Sequence, residues 1–275
     1  MTTAVDPNVP RGTLERMGRV IAVCNQKGGV GKSTTAVNVG SYLALSGRTT
    51  LLIDLDPQGN ASTACGINRT ALSKDIYQVL VNGVVAAEAV IQTAVERLSI
   101  IPSSMDLAGA ELYLTEEVEG RESVLKRVCE PLRPHYDAIL IDCPPSLGLL
   151  TVNALVAADS TIIPVQCEYL ALEGLNSLMH AVGLVKKSLN PELKVGGIVL
   201  TMADFRANLA REVADEVKRF FPDLVFSTAI PRNIRLAESP SFGKPICLYD
   251  PHSTGAIAYH LLTQEVVLKE LGGAR

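Results

Sequence analysis

The hydrophobic pattern of the chain alternates between short continuous apolar runs and longer stretches in which apolar positions recur every three or four residues. The short runs predict strands at 19–24, 50–55, 98–101, 138–141, 161–165 and 195–200. The longer stretches predict helices at 32–46, 72–91, 120–130, 147–157, 169–188, 206–221 and 254–271. Strands without polar alternation are buried on both faces. The pattern therefore predicts an α/β fold, with a doubly wound, mostly parallel sheet and helices on both of its faces.

The same pattern predicts one domain. No interior stretch is rich in Gly, Ser or Pro, so residues 18–275 are expected to form a single unit. Residues 1–17 contain Pro7, Pro10 and Gly12 without periodicity, and we expect them to form a mobile leader. They lack the apolar region of a signal peptide, and no apolar run of the chain approaches the ~18–20 residues that cross a bilayer. A soluble, cytoplasmic protein is expected.

Composition excludes a disordered chain, since 47% of the 275 residues are hydrophobic and 20% are charged. The 25 Lys and Arg residues against 29 Asp and Glu residues give a net charge of −4, which differs from the basic excess of most nucleic-acid-binding proteins. A whole-chain sum does not exclude DNA binding by a few clustered arginines. The six cysteines form no C-x-x-C pair and the four histidines are dispersed. We expect reduced, mostly buried cysteines and neither zinc nor an iron–sulfur cluster.

A glycine-rich turn follows the first predicted strand and leads directly into the first predicted helix. Its glycines let backbone N–H groups turn inward around an anion, and the helix N-terminus adds partial positive charge. Lys32 is placed to reach the β- and γ-phosphates, with a part in catalysis, and the Ser33 hydroxyl to hold Mg²⁺. The turn predicts a phosphate-binding loop made of Gly28, Gly29, Val30, Gly31, Lys32, Ser33 and Thr34.

The loop departs from the general pattern G-x-x-x-x-G-K-[ST], because Gln26 stands where a glycine is expected and a second lysine, Lys27, follows it. In this form, KGGVGKS, it resembles the deviant Walker A motif of the ParA/MinD family of ATPases, which have a P-loop NTPase fold. The resemblance implies that Lys27 crosses a dimer interface, binds the phosphates of the partner's nucleotide and acts in catalysis as an arginine finger does in trans. The alternative is a solvated loop lysine.

Two carboxylates, Asp54 and Asp56, lie at the end of the second predicted strand and directly after it, in the sequence LIDLDPQGN at 52–60. A charge at the end of an apolar strand is costly unless it is solvated, paired or bound to a metal. The sequence is similar to the DxDPQGN segment of the family, which implies that Asp56 orients the attacking water and that Asp54 lies near the metal. A helix or turn cap beginning at Asp56 is the alternative, and both roles can coexist.

A third carboxylate, Asp142, ends the apolar run at 138–141 and precedes Cys143, Pro144 and Pro145. An apolar strand ending in Asp is weak evidence by itself, but behind a P-loop it indicates a Walker B motif. It also resembles the family's DxPP segment. We therefore expect Asp142 to hold Mg²⁺ through a water molecule.

Residues 228–246, TAIPRNIRLAESPSFGKPI, look like the IPRNxRLxEAPSxGxPI segment of chromosomal ParA proteins of the Soj type. The resemblance implies that Pro231 and Asn233 border the adenine, although proline-rich turns also occur for structural reasons alone. It also implies nonspecific DNA binding through Arg206 and Arg235, since arginines contact phosphates without reading sequence. Residues 201–235 hold six basic and five acidic side chains, so a salt-bridged surface is the alternative at each arginine.

The resemblance covers residues 18–268 and implies an ATPase for chromosome or plasmid partitioning, with ATP and Mg²⁺ as cofactors. It further implies a homodimer in the ATP state, nonspecific DNA and a ParB-type protein as partners, and a nucleoid-associated location. The chain ends without the basic amphipathic helix of MinD-like relatives, so no membrane partner is expected. Two alternatives remain open: a positioning ATPase for another cargo, and a metabolic P-loop kinase or ligase.

Overall fold

The computed structural model describes residues 17–168 and 171–272. Within them, seven strands form one sheet in the order β3-β4-β2-β5-β1-β6-β7. The strands are β1 (Arg19–Val23), β2 (Thr50–Asp54), β3 (Ile91–Gln92), β4 (Leu98–Ile101), β5 (Ala138–Asp142), β6 (Ser160–Gln166) and β7 (Lys194–Thr201). All neighbours pair in parallel except β3, which is antiparallel to β4 at one edge. The predicted doubly wound, mostly parallel fold is confirmed.

Helices cover both faces of the sheet. They are α1 (Lys32–Leu45), α2 (Asn60–Ala64), α3 (Ile76–Val81), α4 (Ala110–Glu117), α5 (Val124–Cys129), α6 (Leu149–Ala157), α7 (Ala171–Ser188), α8 (Asn208–Phe220), α9 (Ile234–Glu238), α10 (Ile246–Tyr249) and α11 (Thr254–Glu270). Successive residues of β1 point to opposite faces. Val20 packs in the core with α5, α6, α7 and α8, whereas Ile21 packs in the core with α1 and α11. The strand is apolar throughout because both of its faces are covered.

The proline of the sixth predicted strand is accommodated by the register of the sheet. Pro164 lies in β6, which is an interior strand, but β6 pairs with β1 only as far as Ile162. The missing N–H of Pro164 therefore breaks no bond to β1. Its carbonyl instead accepts a hydrogen bond from Nδ2 of Asn25, at 2.7 Å, just where the chain leaves β1 for the glycine-rich loop.

The prediction of one helix over 72–91 was wrong. The helix α3 ends at Val81, and Gly83 with φ of +69° turns the chain away from helical geometry. The chain then forms the short edge strand β3, which the sequence pattern did not reveal. The helix α4 was also missed, in a stretch for which no element was predicted.

The other predicted helices correspond to observed ones, with end points that coincide or differ by up to four residues. Residues 1–16 of the leader predicted for 1–17 lie outside the described part of the chain. Residues 169 and 170 of the helix predicted at 169–188 also lie outside it. In the described part, no helix combines the length and the apolar content needed to span a bilayer. Five of the six cysteines are buried, as expected, and Cys247 is half-buried.

Candidate active site

The glycine-rich loop lies at the carboxyl end of β1 and leads into α1. Gly29 and Gly31 have φ of +74° and +88°, in the left-handed region where a side chain would be strained. Gly31 is also the residue that precedes α1, and no side chain caps the helix. The N–H groups of the first turn of α1 are therefore available for an anion, as the sequence predicts.

The two lysines of the loop have different surroundings. Lys32 is buried, and its Nζ donates a hydrogen bond to the carbonyl of Lys27 at 3.1 Å. Burial lowers the pKa of Lys32, and the nearby Asp142 and Asp56 partly offset this effect. Lys27 is partly exposed, and its Nζ lies 2.7 Å from Oε2 of Glu168, at the end of β6. The side chain of Lys27 thus contacts the carboxyl end of a second strand, β6.

A cavity of about 290 Å³ lies against the loop. Its lining includes the loop residues Gly28, Gly29, Gly31, Lys32, Ser33 and Thr34, together with Asp56, Gln58, Asn60, Pro145 and Lys244. Val30 and Lys27 do not line it. The Val30 side chain is buried and its carbonyl accepts a bond from Oγ1 of Thr201, so a phosphate contact by Val30 would use its backbone N–H.

Asp142 is fully buried at the end of β5, in register with Val23 of β1 and Asp54 of β2. Neither carboxylate oxygen has a hydrogen bond of normal geometry. Burial raises the pKa of Asp142 well above its usual range, and Asp54 raises it further, while the nearby Ser33 hydroxyl acts in the opposite direction.

A buried carboxylate without a partner is expensive, and a bound cation supplies what is missing. The pairing of Asp142 with the Ser33 hydroxyl at the helix N-terminus fits Mg²⁺, which prefers oxygen ligands and keeps several waters. No cluster of three His, Cys, Asp or Glu side chains suited to a metal was found among the described residues.

Asp54 is buried like Asp142, but its oxygens are hydrogen-bonded. Its Oδ2 accepts bonds from the N–H and the hydroxyl of Ser62, at 2.7 and 2.6 Å, and its Oδ1 accepts a bond from the N–H of Asp56 at 3.3 Å. Burial raises its pKa to about 6, although the bonds from Ser62 and Asp56 lower it. Asp54 therefore ties α2 to the segment that follows β2.

Asp56 lies two residues after the end of β2. Its side chain is largely buried and forms part of the wall of the cavity. Its Oδ1 accepts a hydrogen bond from the N–H of Gln58 at 2.9 Å, which is the turn-capping geometry expected as the structural alternative. The side chain thus caps the turn and also faces the cavity. The role of Asp56 in orienting water stays a prediction.

A second cavity, of about 170 Å³, adjoins the first, and both are lined by Gly31, Thr34 and Met202. Pro231 and Asn233 line this second cavity. The Asn233 side chain is already engaged: its Oδ1 caps α9 by accepting from the N–H of Leu236, and its Nδ2 donates to Thr254. A nucleotide base next to Asn233 would therefore meet a side chain that holds α9 and α11 in place.

Both arginines predicted to bind DNA are exposed, and both are paired with acids. Arg206 forms two bonds of 2.7 Å with the carboxylate of Asp204, and this contact lowers the pKa of Asp204 to about 2. Arg235 lies 3.1 Å from Glu238 and 3.4 Å from Asp250. The two arginines come from neighbouring segments, since residue 203 pairs with residue 231. Their role in DNA binding stays a prediction.

Gln58, Asn60 and Lys244 were not predicted as site residues, yet they line the first cavity. Gln58 and Asn60 belong to the DPQGN sequence that follows β2, so their neighbourhood to Asp56 was the available signal. Lys244 is distant in sequence from these residues and lies two positions before the start of α10. Only the fold brings it to the P-loop.

The fold and this geometry define the class: a P-loop protein of the nucleotide-hydrolysing type, whose loop carries a second lysine. A family profile described as an AAA domain matches residues 18–195. The chain is 53% identical over 250 residues to the sporulation initiation inhibitor protein Soj of Bacillus subtilis, covering 91% of this chain and 98% of that protein. It is 50% identical over 254 residues to the chromosome partitioning protein ParA of Myxococcus xanthus, covering 92% and 89% respectively.

A solved structure with a similar fold is the cobyrinic acid a,c-diamide synthase from Mycobacterium smegmatis with bound ATP analog and magnesium. It has a TM-score of 0.78 and 38% sequence identity, over 90% of this chain and 93% of that one. The chain belongs to the ParA/Soj family of chromosome-partitioning ATPases. It is an ATPase, like the chromosome-partitioning ATPase Soj of Treponema pallidum, to which it is 47% identical over 92% of this chain and 99% of that protein.

Proposed function

We propose that this partitioning ATPase works as a dimer that ATP assembles. ATP and Mg²⁺ bring two copies together, the dimer binds DNA without sequence preference and is thereby nucleoid-associated, and a ParB-type partner stimulates hydrolysis and release. The observation that carries the proposal is the P-loop with two lysines, beside a buried Asp142 whose oxygens have no hydrogen bond of normal geometry among the described residues. Because ATP binds the dimer better than the monomer, nucleotide state sets the population of dimers.

Within one subunit, the N–H groups of the loop and of the first turn of α1 hold the phosphates, and Lys32 adds positive charge. Ser33 and Asp142 would hold Mg²⁺, Asp142 through a water molecule, and the metal would supply positive charge to the phosphates. Asp56 orients a water whose oxygen bonds to the γ-phosphorus while the bond to the bridging oxygen of ADP breaks. Pro231 and Asn233 border the adenine in the second cavity.

Hydrolysis by one subunit alone is expected to be slow. Lys27 points towards Glu168, away from the lining of its own cavity. A second lysine beside Lys32 at the transferring phosphoryl group is therefore the partner's Lys27, across the dimer interface. The nucleotide then lies between two subunits, and the ATPase site is complete only in the dimer.

DNA binding is assigned to Arg206 and Arg235. Each is exposed and held by an acidic neighbour, and exposed ion pairs of this kind contribute little to stability. Phosphates of DNA can therefore replace the acids without a large cost. A dimer doubles the number of such arginines on one surface, so that DNA affinity follows the nucleotide state.

The experiment is binding to a duplex of arbitrary sequence with ATP, with ADP and without nucleotide. We expect binding with ATP only, lost in Lys32→Ala and strongly weakened in Arg206→Glu and Arg235→Glu. If four arginines of the dimer contact phosphates, the logarithm of affinity should fall with the logarithm of salt concentration with a slope of about −3 to −4. Arg127→Glu on α5, an exposed arginine on another face, is the matched control and should bind as the unmodified protein does.

Absence of salt-sensitive binding with ATP would contradict the proposal.

One second candidate function has a specific observation in its favour, because the solved structure that is 38% identical is named for an amide-forming enzyme. In that case ATP turnover should depend on a small carboxylic acid and be indifferent to DNA. Measuring turnover with added DNA and with carboxylic acid substrates separates the two.

A further inference from the structure

Arg69 makes an unusual set of contacts, in a short turn after α2. Its Nη2 donates to the carbonyl of Pro57 at 2.7 Å, its Nη1 donates to the carbonyl of Gln58, and its Nε donates to the carbonyl of Ser103 at 3.0 Å. One guanidinium group thus binds three backbone carbonyls. No carboxylate pairs with Arg69 among the ion pairs of the described residues.

Two of the three carbonyls belong to the loop after β2, which forms part of the wall of the nucleotide cavity, and the third belongs to the neighbouring loop after β4. Pro57 and Gln58 follow Asp56 directly, after β2, and Ser103 lies in the loop after β4. Ser103 is itself bound to the first loop, because its hydroxyl donates to the carbonyl of Asp56 at 2.7 Å. Arg69 therefore closes a bridge between the carboxyl ends of β2 and β4, directly behind Asp56.

The chain makes room for this contact at Gly59. A Cβ atom at Gly59 would lie 2.1 Å from Cζ of Arg69, and Gly59 also has φ of +65°. A side chain at position 59 would therefore have to displace the guanidinium, and the backbone conformation also favours glycine. The guanidinium thus lies close against the turn between Asp56 and α2.

We propose that Arg69 is a positioning residue for ATP hydrolysis, which fixes the turn that carries Asp56 so that its carboxylate meets the attacking water. Charged donors form the stronger class of hydrogen bond. Two of the three bonds hold the turn, and the third anchors the same rigid group to the loop after β4. The proposal rests on the water-orienting role proposed for Asp56. Arg69 does not line the cavity.

The test is hydrolysis and ATP affinity of Arg69→Ala, Arg69→Lys, Asp56→Ala and the double variant of Arg69→Ala with Asp56→Ala. A misplacement of about 1 Å can cost about 100-fold in rate, so we expect Arg69→Ala to lower kcat by about 10-fold to 100-fold. ATP affinity should stay within about threefold, since the contacts to phosphate are unchanged. Arg69→Lys keeps the charge but not the fork of donors, and its kcat should lie in between. If Arg69→Ala does not fold, Arg69→Lys carries the test, with the same separation of kcat from affinity.

The double variant distinguishes positioning from a general structural role. If Arg69 acts through Asp56, the double variant should hydrolyse ATP no more slowly than Asp56→Ala alone. Arg127→Ala is the matched control, because Arg127 also donates to loop groups, the carbonyl of Gly120 and the hydroxyl of Ser123, but on α5. Its kcat should equal that of the unmodified protein.

The proposal is overturned by an unchanged kcat in Arg69→Ala, by an equal loss of kcat and ATP affinity, or by a further loss in the double variant. Asp56→Ala separates this failure from that of the proposed role of Asp56. An inactive Asp56→Ala beside a fully active Arg69→Ala removes only the role of Arg69. Full activity in Asp56→Ala removes the water-orienting role and the proposal for Arg69 together.

Discussion

At the scale of single residues, the active site holds two buried carboxylates in opposite situations. Asp54 accepts three hydrogen bonds, whereas both oxygens of Asp142 lack them. A buried charge without a partner reduces stability. Without nucleotide and Mg²⁺, the buried Asp142 therefore lowers the free energy of unfolding of the protein. We expect ligand binding to restore it.

We predict that Asp142→Asn stabilises the nucleotide-free protein by an amount that grows as pH rises, to about 1–3 kcal/mol, because ionisation of the buried carboxyl group is unfavourable, and that it abolishes Mg²⁺-dependent hydrolysis. Thermal unfolding and phosphate release measure the two effects. Asp159→Asn is the control, because Asp159 accepts bonds from Arg133 and from the N–H of Val20, and its substitution should destabilise the protein. A lower unfolding midpoint for Asp142→Asn would show that its carboxylate is satisfied in the free protein.

A second prediction concerns pH and Asp54. Burial raises its pKa from 3.8 to about 6, so the folded protein holds a proton that the unfolded chain has already released. The contribution of Asp54 to stability is therefore largest below pH 4 and decreases as pH rises through 6, by about 3 kcal/mol. The raised pKa of Asp142 acts in the same direction.

Denaturant unfolding between pH 4 and pH 7 checks this prediction in the nucleotide-free protein. Asp54→Asn should reduce the decline of stability across this range, whatever its effect on absolute stability. Equal pH dependence in Asp54→Asn and the unmodified protein would mean that Asp54 has an ordinary pKa in the folded state.

At the scale of elements, the strands were predictable because burial on both faces makes them continuous apolar runs. Helix 72–91 was not, because the apolar residues Val79 and Leu80 continue into Val84 with helical spacing, and the pattern does not show that Gly83 interrupts them. The edge strand β3 has only two residues, too few for any periodicity.

Some residues of the site could also be predicted from the sequence, and others could not. Lys32, Ser33 and Asp142 were predictable, since parallel strands place their carboxyl ends at one edge of the sheet. Arg69 was not, because its partners are backbone carbonyls, which every residue has. Contacts that depend on where a loop turns leave no mark in residue types, and only the fold reveals them.

Asn190 shows how a single side chain can hold two elements, and it supports a prediction. Its Nδ2 donates to the carbonyls of Leu155, Val156 and Ala158, which end α6 and lead into β6. Asn190 is buried, so its loss leaves carbonyls without donors. We predict that Asn190→Ala lowers the free energy of unfolding by about 1–3 kcal/mol, and that Asn190→Asp lowers it further because a carboxylate would face these carbonyls.

Urea unfolding at neutral pH measures both variants. Asn82→Asp is the matched control, since Asn82 is an exposed asparagine that follows α3 and bonds only the side chain of Gln78 through its Nδ2. It should change stability by less than about 0.5 kcal/mol. An Asn190→Asp variant as stable as Asn190→Ala would contradict the assigned orientation of the amide.

At the scale of the whole molecule, the acidic net charge and the paired arginines belong together. With a net charge of −4 and an acid beside each DNA-binding candidate, we expect a single subunit to bind DNA weakly. In the proposed mechanism, a dimer binds DNA because it adds a second set of arginines, and it releases DNA when it separates. Acidity is then compatible with a DNA affinity that nucleotide switches on and off.

The last prediction is that Lys27 is required for dimer formation and not for ATP binding. In the single subunit Lys27 pairs with Glu168 at 2.7 Å and does not line its own cavity, so the phosphates of that cavity are held without it. With a non-hydrolysable ATP analogue, Lys27→Gln should bind nucleotide within about threefold of the unmodified protein and yet sediment as a monomer. Lys74→Gln is the matched control, because Lys74 is also an exposed lysine paired with a glutamate, Glu88, and it should still dimerise. A dimer of Lys27→Gln at the same nucleotide concentration would mean that Lys27 serves only its own subunit, and the partner would then have to supply the missing positive charge from another residue.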